Sequence, residues 1–381
     1  MAAVSDRIRV AVAGLGGVAQ SVHLPLLTRR WDLFEIAAVC DLSPSLRDEI
    51  GDQYGVARAD RFADVDEMVS TTEADGVLLL TSGSHGASAL HALRRGVSVF
   101  CEKPLAYTIA EAGRLAEAQA AVGRPALLLA YMKEYDDAVA RLREHLAGVE
   151  DVRAVDVQVL HPSTASQLAF ANLRPPPGDV TREAIRLVRA AEDEVLDAAL
   201  GTEAAGWLRP LYANVVLGSI VHDTSLLRVL FGGLDRVDDV RIWPDRTYPP
   251  SVDVSGPLGN GARARIGWHY LPGYPAYRET VAVHHGRGSL QLTFGTPYLL
   301  NAPSELTVVE AAPGGEVRST YRSKGEAFEN ELVDFHRMVT SATRPRAGVA
   351  QGRDDIVTSQ RIMRRLAEQQ RIAVGGEAAT A

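Results

Sequence analysis

Glu102-Lys103-Pro104 follows a short apolar run, residues 97–101. A lysine released at the end of a buried strand is equipped for chemistry, because its ammonium can steady an oxygen on which negative charge develops. A second pattern lies near the start of the chain. Gly14-Leu15-Gly16-Gly17-Val18-Ala19 follows the apolar run 8–13 and opens a helix-like stretch that reaches residue 27. Its spacing is G-x-G-x-x-A. Between a strand and a helix, the first glycine allows a tight turn and the second lets a pyrophosphate approach the backbone. The small third residue lets the helix pack on its strand, with the helix N-terminus facing the phosphates. A second strand, residues 34–40, ends in Asp41 about 20 residues past the glycines, where a carboxylate accepts the ribose 2'-OH of NAD. That negative charge repels the additional phosphate of NADP, so NAD rather than NADP is the expected cofactor.

These residues need a scaffold, and the hydrophobic pattern supplies one. Helices are predicted at 43–54, opened by Ser43 as cap and Pro44 in the first turn, and at 64–70, 87–95 and 108–121. Strands are predicted at 76–80, 97–101 and 126–131. Such alternation means a doubly wound parallel sheet with ligands at the carboxyl ends of its strands. In that frame Lys103 faces the dinucleotide turn, its ammonium beside the nicotinamide and a substrate oxygen. Past residue 131 the pattern changes to helices at 135–147, 180–200 and 214–230, a strand at 152–160, and strand-like runs at 262–270, 279–285, 289–294 and 305–309. Two helices, 327–340 and 354–369, close the chain. The expected architecture is an N-terminal α/β domain, residues 1–131, and an α+β domain, residues 132–374, built on a mostly antiparallel, open-faced sheet. Residues 375–381 are expected to be a disordered tail.

Composition narrows the function classes. The chain has 381 residues, 46% hydrophobic and 23% charged, with a net charge of -8. That balance is ordinary for a globular protein and gives no support to nucleic-acid or anionic-membrane partners. No signal peptide is read at the N-terminus, and no run is read as approaching the ~20 apolar residues of a membrane span, so a cytoplasmic location is expected. Cys40 and Cys101, the only cysteines, each end a predicted buried strand. Neither a disulfide framework nor a metal site is expected: no HExxH occurs, and His284-His285 alternate across a strand.

Gly14-Leu15-Gly16-Gly17-Val18-Ala19, Cys101-Glu102-Lys103-Pro104 and a later histidine-bearing helix, His222-Asp223-Thr224-Ser225-Leu226-Leu227-Arg228, resemble the glucose-fructose oxidoreductase and inositol dehydrogenase family, also called Gfo/Idh/MocA. The resemblance implies that Lys103 contacts the reacting hydroxyl and the nicotinamide ribose and that Glu102 helps to seat the cofactor. It implies that His222 is the acid/base, a role its ordinary pKa near ~6.5 suits. It places Thr81, Ser82 and His85 where the loop after the fourth strand passes the cofactor, although a capping role at a helix start fits His85 equally. Lys133, in Tyr131-Met132-Lys133-Glu134, falls where the family crosses between domains and reaches the substrate; a solvated charge is the alternative. His161, at the end of the first strand of the second domain, is a weaker substrate contact. Of Trp268, His269 and Tyr270, strand alternation lets only one parity face the cofactor. The family's oligomerisation surface is the second domain's sheet, which implies a homodimer or homotetramer.

Two positions depart from the family. The Asp usual four residues before the histidine is Gly218, and the Asp three residues after it is Ser225. Asn214, one turn further back, and Asp223 are the substitutes on hand. The resemblance implies hydride transfer between nicotinamide and a carbinol or keto carbon of a sugar, cyclitol or related polyol. Two rivals stay open: a member that keeps its NAD and uses transient oxidation for epimerisation, elimination or glycoside cleavage, and a non-catalytic dinucleotide sensor. Residues 161–212 exceed what the crossing needs, and the amphipathic helix within them is expected to roof the active site or to pack on a partner subunit.

Overall fold

The computed structural model describes residues 7–174, 178–244 and 247–381; the Pro175-Pro176-Pro177 run lies outside them. The chain forms two compact units. One gathers the residues up to Tyr131 with Asn172–Ala199 and Glu331–Ile356, and the other gathers Met132–Ala171, Leu200–Asn330 and Val357–Ala381.

The first unit is built on β1 (Ile8–Ala13), β2 (Phe34–Cys40), β3 (Arg61–Phe62), β4 (Gly76–Leu79), β5 (Ser98–Glu102) and β6 (Leu127–Ala130). All neighbours are parallel, in the order β3-β2-β1-β4-β5-β6. This is the doubly wound order that reverses between β1 and β4 and opens a crevice at the strands' carboxyl ends. Val10, Val12, Leu78, Val99 and Phe100 are fully buried, which is why these strands read as continuous apolar runs. A π-helical turn, Ala19–His23, leads into α1 (Leu24–Arg29). In α2 (Pro44–Gln53) the Ser43 hydroxyl accepts from the Leu46 amide at 3.2 Å, the expected cap. α3 (Val65–Thr71), α4 (Gly86–Arg94) and α5 (Ile109–Val122) follow, the last opened by a reciprocal capping box between Thr108 and Glu111.

The second unit begins with α6 (Asp137–Leu146), then β7 (Val152–His161) and α7 (Thr164–Leu168). α8 (Arg182–Leu200) belongs to the first unit for nearly all its length. A continuous helical stretch then runs through α9 (Leu208–Pro210), a π-helical segment Leu211–Ile220 and α10 (Val221–Phe231). β8 (Asp239–Trp243), β9 (Ser251–Pro257), β10 (Arg263–Tyr270), β11 (Arg278–His285), β12 (Gly288–Phe294), β13 (Glu305–Ala312) and β14 (Gly315–Arg322) complete an eight-stranded sheet, ordered β14-β13-β12-β11-β7-β10-β9-β8. In this sheet, among the described residues, only β7 and β10 pair in parallel. Val155, Val157, Val159, Ile266, Val281, Val283 and Leu292 are buried on one face, while Asp156, Arg265 and His284 are exposed on the other, the alternation of a sheet covered on one side. α11 (Ala327–Ser341) and α12 (Val349–Gln370) close the fold.

Four expectations need correction. The tail from Gly375 is ordered: its amide donates to the Leu200 carbonyl at 2.6 Å, Gln360 donates to Glu377, and Ala378 is fully buried. The second domain is not a continuous segment, because residues 172–199 and 331–356 pack with the N-terminal sheet. The helix expected at 214–230 begins at Leu208 and is π-wound for ten residues. Finally, among the described residues one helix, Leu208–Phe231, is long and apolar enough to cross a membrane; 56% of its most apolar stretch is buried, with Leu208, Tyr212, Val216 and Ile220 within the protein.

Candidate functional site

In the first unit, the turn after β1 is made by geometry that only glycine meets. Gly14 has φ +88°, and a β-carbon there would lie 2.7 Å from the backbone of Leu80 and Thr81. A β-carbon at Gly16 would meet nothing within 4 Å, so this position opens onto free space, the cradle a pyrophosphate requires. Ala19 is fully buried. Asp41 stands at the end of β2, and its carboxylate is already oriented: Oδ2 accepts from the Leu15 amide and Oδ1 from the Ser43 amide, both at 2.9 Å. The turn, the helix that follows Gly17 and Val18, and this carboxylate fit an adenine dinucleotide.

Two strands along, β5 delivers Glu102 and Lys103 to the same end of the sheet, and the Lys103-Pro104 peptide is cis. Glu102 is 8% exposed and lies 3.1 Å from His23 Nε2, while its other oxygen accepts from the Lys103 amide at 3.1 Å. Burial works against the Glu102 charge, but the His23 hydrogen bond and the nearby positive groups outweigh it and hold the carboxyl below its usual range. Glu102 therefore grips the backbone that carries Lys103. Glu331 of α11 brings a third ligand-type atom within 4.8 Å of the first two.

Thr81 and Ser82 lie on the loop after β4, Ser82 exposed. His85 is turned inward. Its Nδ1 is 2.7 Å from the Pro104 carbonyl oxygen and its Nε2 is 2.9 Å from that of Thr81. Burial pushes its pKa down against the pull of those two carbonyls. It caps no helix with its side chain; the ring ties the loop after β4 to the segment after Lys103.

In the second unit, Lys133 is a buried ion rather than a solvated one. Its Nζ lies 2.6 Å from both oxygens of Glu279, 3.6 Å from Asp223 and 5.5 Å from the centre of the Phe294 ring. Burial disfavours the lysine charge, but the two carboxylates outweigh it and hold its pKa above the ordinary value. Asp223, 1% exposed, is pushed well up by burial and by the Glu279 charge. The cluster thus sets one lysine ammonium between two buried carboxyl groups. Tyr277 donates to Glu279 Oε2 at 2.5 Å, and burial with that carboxylate raises its pKa well above the usual range. Lys133, Tyr277, Glu279 and Phe294 line a small open pocket of about 60 Å³.

Sequence reasoning passed over Glu279 and Tyr277. A findable signal was present for the first: in β11 it shares the parity of Val281 and Val283, so a charge was heading into the core. His23 and Glu331 were passed over likewise, each within an apolar helical face.

His222 sits half-buried on α10, with the Ser225 hydroxyl donating to its carbonyl at 3.0 Å. The substitutes for the missing carboxylate are not placed as the helical spacing suggested. Asn214 is exposed and donates to Tyr248 Oη at 3.0 Å, since a π-helical turn takes more than four residues and breaks the i, i+4 stripe. Asp223 points into the Lys133 cluster. His161 packs against Trp268 and Tyr277, with ring centres 5.4 and 5.7 Å away. Trp268 and Tyr270 share its face, while His269 turns to the other and meets Trp243.

The first unit is thus a dinucleotide-binding α/β unit with a lysine at its switch end. Residues 8–128 match the Gfo/Idh/MocA model, described as an oxidoreductase family with an NAD-binding Rossmann fold. Over 137 residues the chain is 33% identical to the inositol 2-dehydrogenase of Burkholderia ambifaria (strain MC40-6), covering 36% of this chain and 40% of that relative. The match therefore spans two fifths of the relative's length. The fold is shared over nearly the full chain with solved structures of low identity. One is the apo scyllo-inositol dehydrogenase of Lactobacillus casei, with a TM-score of 0.68 at 16% identity, covering 99% of this chain and 100% of that one. Another is the aldose-aldose oxidoreductase of Caulobacter crescentus, with a TM-score of 0.70 at 18% identity, covering 95% and 98%.

Proposed function

We propose that the protein is an NAD-dependent oxidoreductase acting on a carbinol or keto carbon of a sugar, cyclitol or related polyol. The observation that carries this reading is Lys103 at the end of β5, its backbone gripped by Glu102, on the same sheet edge as the glycine turn and Asp41. Bound nicotinamide would take up or supply the hydride. Lys103 steadies the substrate oxygen, and His222 exchanges the hydroxyl proton. Thr81 and Ser82 line the cofactor's path, with His85 fixing their loop. Lys133, His161 and Asp223 are assigned to the polyol side, Lys133 and Asp223 acting through the charge cluster. The inositol dehydrogenase relative supports a polyol substrate. A homodimer or homotetramer in the cytoplasm, without nucleic-acid, membrane or metal partners, completes the proposal.

A second reading, cofactor retained and oxidation transient, is favoured by one observation: residues 172–199 pack on the dinucleotide unit, with Arg174 at Gln20 beside the glycine turn. Nicotinamide absorbance during incubation with sugars, cyclitols and keto-sugars, for wild type beside Lys103→Met and His222→Ala, decides between them. Turnover that prefers NAD(H) and falls at least about 100-fold in both variants supports the dehydrogenase. Loss of substrate without net redox change supports the second reading. Bound cofactor with no conversion of any substrate, in wild type or variants, leaves only a dinucleotide sensor.

A further inference from the structure

The N-terminus of α2 is occupied. Asp179, which reaches the first unit from residues 172–199, places Oδ1 2.7 Å from Ser43 Oγ and Oδ2 2.9 Å from the Ser45 amide. The same Ser43 donates its amide to Asp41 Oδ1, so two carboxylates flank one residue at the end of β2. This is the edge at which a dinucleotide presents its adenosine ribose 2'-oxygen, and there NADP carries a further phosphate. A hydroxyl and a free amide at a helix N-terminus form a natural phosphate seat; here a carboxylate fills it. The local cations are also engaged. Arg47 donates to the Asp41 carbonyl at 2.6 Å, and Arg174 pairs with Glu49 at 2.7 Å.

Resting on the dinucleotide-binding reading above, we infer that Asp179 is a specificity-determining residue: it occupies the seat of the NADP 2'-phosphate and repels it, adding to the discrimination by Asp41. The Ser43 hydroxyl and Ser45 amide hold the Asp179 carboxyl at about 2, so it carries full charge at neutral pH. A carboxylate and a phosphate cannot share one pair of donors. The discriminating group thus comes from some 140 residues beyond the fingerprint that reads the ribose.

Titration of the full-length protein with NADH and with NADPH, followed by nicotinamide fluorescence, tests this on wild type, Asp179→Asn and Asp179→Ala. Wild type is expected to bind NADPH at least tenfold more weakly than NADH. In Asp179→Ala that ratio narrows by tenfold or more while the NADH Kd stays within about threefold, and Asp179→Asn, which keeps the shape and drops the charge, moves the ratio in the same direction. Equal wild-type affinity for the two cofactors, or a ratio unchanged within twofold in both variants, overturns the inference. A residue that merely anchored the segment would weaken both cofactors together and leave the ratio fixed. A wild type that binds neither cofactor overturns the dinucleotide reading itself.

Discussion

A buried charge is tolerated only as part of a neutral set, and Lys133 shows how that set is arranged. Glu279 lies 2.6 Å from it and Asp223 3.6 Å, and burial with the Glu279 charge pushes the Asp223 carboxyl well up. Removing one partner of a buried pair costs about 3–5 kcal/mol when nothing replaces it. Here Asp223 can ionise in place of Glu279, so Glu279→Gln is expected to lower stability by less than that range, and Glu279→Gln with Asp223→Asn by the full range or more. The pH dependence has a definite sign. The folded-state pKa of Asp223 is raised, so the folded protein holds a proton that the unfolded chain releases; stability is greatest below the ordinary carboxylate range and is lost as pH rises through the raised pKa. Urea midpoints from pH 4 upward should show this slope in wild type and not in the double variant. Additive single-variant losses would contradict the shared-proton arrangement. At this scale the sequence was legible where local spacing does the work: Gly14, Gly16, Asp41 and Lys103 each lie at a strand end. Glu279 was hidden because its partner is 146 residues away, and pattern alone does not pair a buried acid with a distant lysine.

At the scale of elements, most strands and helices followed from their periodicity within one or two residues, and the exceptions have physical causes. β14 is exposed along its whole length, so it carries no alternation to read. The π-helical segment before α10 is mostly apolar, and nothing in such a run distinguishes five-residue hydrogen bonding from four. That winding bears on Gly218, the position at which the family has an aspartate. A β-carbon there would lie 3.2 Å from the Ala213 carbonyl oxygen, tighter than ordinary packing. Gly218→Asp would therefore require the Ala213 carbonyl to give by a few tenths of an ångström, a strain of up to about 1–3 kcal/mol by analogy with overpacking. The substitution is expected to lower the denaturation midpoint without creating inositol oxidation. An unchanged midpoint together with new inositol turnover would show that the carboxylate alone was missing.

The whole molecule is not cut where the sequence pattern changes. Tyr131 ends the first continuous stretch of the dinucleotide unit, yet the chain returns to that unit twice. Those returns are invisible to local reading, because their contacts join distant residues, Arg174 with Gln20 across 154 positions and Ala347 with Leu129 across more than 200. The second return completes the core. Phe335 of α11 packs edge-on against Phe100, ring centres 5.7 Å apart, and a β-carbon on Gly76 would lie 2.6 Å from it. The Leu129 amide donates to the Ala347 carbonyl at 3.0 Å, satisfying the edge of β6. Leu332, Phe335 and Met338 are fully buried, and at about 1.5–3 kcal/mol for each large apolar side chain they supply roughly 5–9 kcal/mol. That is comparable to the ~5–15 kcal/mol that stabilises an entire domain. A fragment of residues 1–131 therefore carries the dinucleotide fingerprint without the core that holds it. Such a fragment is expected to retain far-ultraviolet helicity, bind a hydrophobic dye and melt without a cooperative transition, whereas the full chain melts cooperatively. A sharp melt of the fragment within about 10 °C of the full-length transition would show that the six-stranded sheet stands alone.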